Sequence, residues 1–174
     1  MPAHGIIWKD YIGDIIETYK GIAAQKVENK AVIVYESVWK HTQQIAESLA
    51  EGFSDAGMDV KVYKLSDTKS SIVMREIMDA KVVCIGSGTY NNVMAPSVAA
   101  FLEHIRPCKF KNKKGMAFAA YGWFNQVAKE IDTRMQQSGI ESCHDVISQC
   151  YTPSDDQLED YYNMAHEIAK NCQE

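Results

Sequence analysis

The chain has no Cys-x-x-Cys pair. Its five cysteines, Cys84, Cys108, Cys143, Cys150 and Cys172, are odd in number. That speaks against a zinc site or a thioredoxin-like dithiol. There is no basic excess: the formal net charge is −5, which argues against a general nucleic-acid or anionic-membrane binder. No apolar run approaches the ~20 residues of a membrane span. Met1 to Lys9 lacks the basic start and apolar stretch of a secretory leader. A reducing cytoplasm is therefore the expected location. No Walker A motif is present, and no Gly-x-Gly-x-x-Gly follows the first strand-like run. Apart from His4, the histidines His41, His104, His144 and His166 are scattered, with no His-x-Glu-x-Asp-His cluster.

What is there is enough for one domain. The 174 residues are 46% hydrophobic, sufficient for a single sizeable core. Ala31–Tyr35, Val82–Gly86 and Gly115–Tyr121 are nearly continuous apolar runs, as in strands buried on both faces of a parallel sheet. Val60–Tyr63 alternates like an edge strand, and Asp145–Ser148 is a weaker fifth. Helical periodicity fills the gaps. Ile45, Leu49 and Phe53 mark a helix over Thr42–Ala56, stopped by Gly57. Ile72, Ile77 and Met78 mark a second. Pro96 starts a third, with Val98, Phe101 and Leu102 as its stripe. Val127, Ile131 and Met135 mark a fourth, ended by Gly139. Ser154-Asp155-Asp156 caps a fifth, with Leu158, Tyr161, Tyr162, Ala165 and Ile168 inward. Five strand–helix alternations predict an α/β, flavodoxin-like, doubly wound five-stranded parallel sheet. Its expected order is 2-1-3-4-5, with helices on both faces. Residues 1–30 lie outside this repeat: a helix over about Lys9–Ala24 and a polar linker Gln25–Lys30. The repeat itself occupies 31–174.

In such a sheet a ligand lies beyond the C-terminal strand ends, so the loops after strands one, three and four carry the functional reading. The first is Ser37-Val38-Trp39-Lys40-His41-Thr42, leading into a helix. First-turn N–H groups lack intrahelical partners and sit at the positive end of the dipole, so they can hold a phosphate without lysine; Thr42 could equally be a plain cap. The second is Gly86-Ser87-Gly88-Thr89-Tyr90-Asn91-Asn92. Its glycines permit close backbone approach to a flat ligand, and its polar groups match a ring with donors and acceptors. A Gly/Asn-rich turn is the plainer reading. The third is Tyr121-Gly122-Trp123-Phe124-Asn125, where Tyr121 or Trp123 can stack on a planar ring, or simply cover the sheet end. Together the loops fit a mononucleotide with a large flat base. FMN fits better than NAD, given the missing glycine fingerprint.

These three loops, with Pro96 beyond the second, resemble the C-terminal flavodoxin-like domain of flavodiiron proteins, the A-type flavoproteins. The Tyr-Gly-Trp loop and the tryptophan of the first loop distinguish that family from ordinary flavodoxins. Pro2-Ala3-His4-Gly5-Ile6-Ile7-Trp8 resembles the segment where the family's metallo-β-lactamase-like domain ends, which makes His4 a family diiron-ligand position without its partners. Residues 1–30 are then the end of a missing domain, and no metal is expected in this chain. The sequence departs from the family where Lys40 stands for the usual glycine, Gly88 for proline, and Phe124 and Asn125 for small residues. The resemblance implies an FMN flavoprotein that works in electron transport, an oxidoreductase domain without catalytic acid, base or nucleophile. It implies a redox partner such as rubredoxin or a flavin reductase, and a homodimer. It also implies no diiron reductase activity in isolation. Two alternatives stand beside it: a stand-alone NAD(P)H-dependent FMN or quinone reductase of the same fold, and a flavin-free interaction module.

Overall fold

The computed structural model describes residues 5–173. Five parallel strand positions form the sheet, in the order expected. Strands β1 (Glu28–Glu36), β2 (Asp59–Lys64) and β3 (Ala80–Tyr90) are followed by the two-residue β4 (Val93–Met94) and by β5 (Lys114–Tyr121). The fifth position is shared by β6 (Glu141–Ser142) and β7 (Ile147–Cys150). The order is β2-β1-β3-β5-β6, with β7 continuing beside β5 and β4 folded back on β3. All pairs are parallel except β3–β4.

Alternation explains the continuous apolar runs. Val32, Val34, Val83, Ile85, Ala117 and Ala119 face one layer; Ile33, Val82, Cys84, Met116 and Phe118 face the other. Successive strand side chains point to opposite faces, so a strand covered on both sides is apolar at every position. Helices α3 (Ser70–Met78), α4 (Pro96–Ile105) and α5 (Val127–Gln137) cover the first face. Helices α2 (His41–Asp55) and α6 (Asp155–Gln173) cover the second. Cys84 is a fully buried core residue.

Several local expectations shift. Strand β1 begins at Glu28, inside the stretch read as a linker, because Lys30 pairs with Asp59 of β2. Helix α1 (Ile12–Ala23) is shorter than 9–24, and none of its residues is buried. In α3 the buried residues are Val73 and Ile77, while Ile72 and Met78 lie at the surface. The fifth strand is displaced by two residues, from Asp145–Ser148 to Ile147–Cys150, because residues 143–146 interrupt its pairing with β5. Its inward positions are Ile147 and Gln149, a polar residue where an apolar alternation would show. His4 lies outside the described residues. Among them, no helix is long and apolar enough to cross a membrane, and no group of three or more His, Cys, Asp or Glu could hold a metal ion.

Candidate functional site

The chain leaves β1 toward β2 on one side and β3 toward β5 on the other, so the connections diverge and open a crevice at the C-terminal ends of β1 and β3. A cavity of about 370 Å³ occupies that crevice.

Its first wall is the β1–α2 loop, which contributes Ser37, Val38, Trp39, His41 and Thr42. Lys40 takes the left-handed conformation (φ 67) at the N-cap of α2, and no side chain caps the helix. Thr42 is therefore inside the helix rather than capping it. Its hydroxyl instead faces Gly88, where a methyl group would stand 3.7 Å from Oγ1. An uncapped helix start with two hydroxyls beside it is an anion-binding arrangement. Trp39 is 79% exposed and stands at the cavity rim, while Lys40 is not part of the lining.

The second wall differs from the loop expected. Strand β3 continues to Tyr90, and Asn91 and Asn92 both have positive φ (45 and 67). They form a two-residue hairpin turn into β4, with Tyr90 paired to Val93. Asparagine tolerates the left-handed region, as such turns require. Gly88, Thr89, Tyr90 and Asn91 line the cavity; Asn92 does not. Ser87 is fully buried and committed internally. Its hydroxyl donates to the Gly88 carbonyl at 2.7 Å and accepts from Ala95 N–H at 2.8 Å, fixing the wall to the start of α4. Thr89 Oγ1 is buried without a hydrogen-bond partner. A buried hydroxyl left unpaired is costly, and points to a ligand or water at that place.

The third wall is Ala120, Tyr121, Gly122 and Trp123. Trp123 is 80% exposed. Phe124 turns inward against the core cluster, and Asn125 Oδ1 accepts from Gln126 Nε2; neither lines the cavity. Tyr151, from the segment after β7, also lines it and was not anticipated. The signal was available: Tyr151-Thr152-Pro153-Ser154 lies between a strand and a helix, as the other walls do.

Glu36 was missed for another reason. It lies beneath the first wall and is 93% buried, with 7% exposure. Its carboxylate accepts from Ser37 N–H at 3.0 Å, from Ser97 Oγ at 3.2 Å and, at the long distance of 3.4 Å, from Ser66 Oγ. Burial, with the charge of Glu36 added, pushes the Tyr90 phenol above its ordinary pKa. Both effects keep Tyr90 a neutral donor at neutral pH.

The flavodoxin family model matches residues 33–169. A nitric oxide reductase of Moorella thermoacetica is 40% identical over 140 residues, covering 80% of this chain and 35% of that protein. The solved rubredoxin oxygen:oxidoreductase of Desulfovibrio gigas is similar at TM-score 0.89 and 33% identity, over 92% of this chain and 40% of that one. The flavodiiron protein of Giardia intestinalis is similar at TM-score 0.90 and 27% identity, over 98% and 43%. The chain spans less than half the length of the curated relatives it matches.

Proposed function

Because the chain belongs to the flavodoxin family, and matches the flavodoxin-like part of flavodiiron proteins, we propose that its cavity holds FMN for electron transfer between protein partners. FMN is the cofactor of this family, and the residues present fit it. The observation that carries the assignment is the pairing, in one crevice, of an uncapped helix start with a buried unpartnered hydroxyl on Thr89. The first suits an anion. The second suits a polar ring edge brought close to β3.

Ser37, Thr42 and the first-turn N–H groups of α2 hold the phosphate. Thr89, Tyr90 and Asn91 serve the polar edge of the ring. Trp39 and Trp123 cover its faces and exclude water. Bound FMN supplies one- and two-electron redox chemistry; the protein supplies binding, orientation and electrostatics. The assignment asks no covalent chemistry of the protein's side chains.

The names of the relatives, a flavorubredoxin and a rubredoxin oxygen:oxidoreductase, support a redox-protein partner. A rubredoxin or a flavin reductase donates electrons, and a diiron domain like that of the longer relatives receives them. His4 and the residues ahead of β1 then belong to the junction with such a domain. The test is anaerobic reduction of the FMN-loaded protein, followed by loss of flavin absorbance. Chemically reduced rubredoxin should bleach it rapidly, and NADPH alone should not. Fast NADPH oxidation coupled to a quinone would overturn this reading in favour of a stand-alone reductase.

A further inference from the structure

The geometry points to a fourth wall of the site, formed by the segment after β7: Tyr151 contacts the flat ring of the ligand, and Thr152 orients His41 at the phosphate end. This deepens the FMN assignment and rests on it.

Tyr151 is held at φ 55, in the left-handed region that bulky residues avoid. Such a conformation persists only where the surroundings over-determine it. Here they do. Tyr151 N–H donates to the Tyr121 carbonyl at 2.8 Å, tying the backbone to the end of β5. The ring lies beside Gly122, where a methyl group would stand 3.4 Å from both Cε1 and Oη. Pro153, two residues on, is buried, and Ser154 Oγ accepts from Gln157 N–H at 3.3 Å at the start of α6. The segment is thus pinned on both sides of the strained residue. Yet the ring it presents is 61% exposed. Core packing does not explain a strained aromatic that buries so little. A place in the cavity lining, on the same crevice as Trp39 and Trp123, does.

Thr152 performs the second task. Its Oγ1 shares a 3.1 Å hydrogen bond with Nδ1 of His41. His41 is the first residue of α2 and lines the cavity. The bond joins the last wall to the first across 111 residues of sequence. With Nδ1 engaged, Nε2 is the ring nitrogen left to serve the phosphate.

The two residues address different ends of the ligand, so they carry different signatures. The experiment titrates flavin-free protein with FMN and with riboflavin, read by fluorescence, for the wild type and for Tyr151→Gly, Tyr151→Phe and Thr152→Val. Glycine accepts φ 55 without strain, so Tyr151→Gly removes the ring while the backbone keeps its conformation, and thermal melting checks that the variant is folded. It should weaken FMN and riboflavin alike, by roughly 2- to 10-fold, the range expected for one aromatic contact. Tyr151→Phe should restore both. Thr152→Val should weaken FMN by about 2- to 10-fold, as for one hydrogen bond, and leave riboflavin unchanged. If the wild type binds FMN while Tyr151→Gly binds both flavins as tightly, or Thr152→Val weakens both equally, the fourth wall is overturned and the FMN assignment stands. A wild type that binds neither flavin overturns both.

Discussion

Thr42 shows how one hydroxyl changes meaning with one residue of register. Placed before a helix it would be a cap, spent on its own backbone. Placed at the second helical position, 1% exposed and facing Gly88 across the crevice, it is available to a ligand. The expected consequence is selective. Thr42→Ala should weaken FMN by about 1.5–3 kcal/mol, the range of a hydrogen bond to a charged group, and riboflavin hardly at all. Paired titrations of the two flavins measure this, and equal losses would place the phosphate elsewhere. The residue scale also shows what one sequence conceals. Trp39 and Trp123 were legible because large aromatics at strand ends have few core roles. Glu36 was not, because a charge closing an apolar run looks like an exposed strand end. Its hydrogen-bond donors include serines 30 and 61 residues away, a separation no local pattern records. Tyr151 was hidden by its conformation: nothing in its identity signals the left-handed region.

At the scale of elements, the site depends on how its walls are tied together. Glu36 joins β1 to the β2–α3 loop through Ser66 and to the first turn of α4 through Ser97. Neutral donors are its only partners among the described residues. Removing the acceptor should leave Ser37 N–H and Ser97 Oγ unpaired, while Ser66 Oγ keeps Asp67 at 3.0 Å. Glu36→Ala is expected to lose about 1–3 kcal/mol of stability and to loosen flavin binding with it. Glu36→Gln, which keeps an acceptor, should recover most of the stability. Denaturant titrations of the three proteins test this; indifference to Glu36→Ala would mean that the walls are held by strand pairing alone. The elements themselves were largely readable. Strands β1, β3 and β5 declared themselves because burial on both faces makes the pattern continuous. The last strand did not: residues 143–146 break its pairing, and Gln149 occupies an inward position, where it donates to Gln157 and accepts from Tyr161. That failure hid the fourth wall, since its loop is found only by locating the strand that ends there.

For the whole molecule, the side opposite the crevice makes a separate prediction about pH. Lys113, just ahead of β5, is 2% exposed, and its ammonium donates to the carbonyls of Met78 and Ala80 at 3.0 and 2.9 Å. Burial lowers its pKa from 10.5 to about 8, against the smaller raising influence of Asp79. The unfolded chain therefore holds a proton that the folded chain has released between about pH 8 and 10.5. Stability from this group is fully present above the unfolded value and is lost as pH falls through 8. Compared with Lys113→Met, the wild type should gain stability as pH rises across that window. The raised pKa values of Cys84, Cys108, Cys143 and Cys172 act oppositely above pH 9 in both proteins and cancel in the difference. Parallel denaturation at pH 7, 8 and 9 measures the trend; a constant difference would show that the amine stays charged when buried.

The central claim is that the crevice beyond β1, β3 and β5 is an FMN site. The most direct test is the absorbance spectrum of the purified protein, followed by identification of any flavin released on denaturation. Protein that emerges empty is then titrated with FMN and riboflavin. The account predicts a yellow protein that releases FMN, or an empty one that takes up one FMN per chain in preference to riboflavin. A colourless protein that fails to take up added FMN would contradict it.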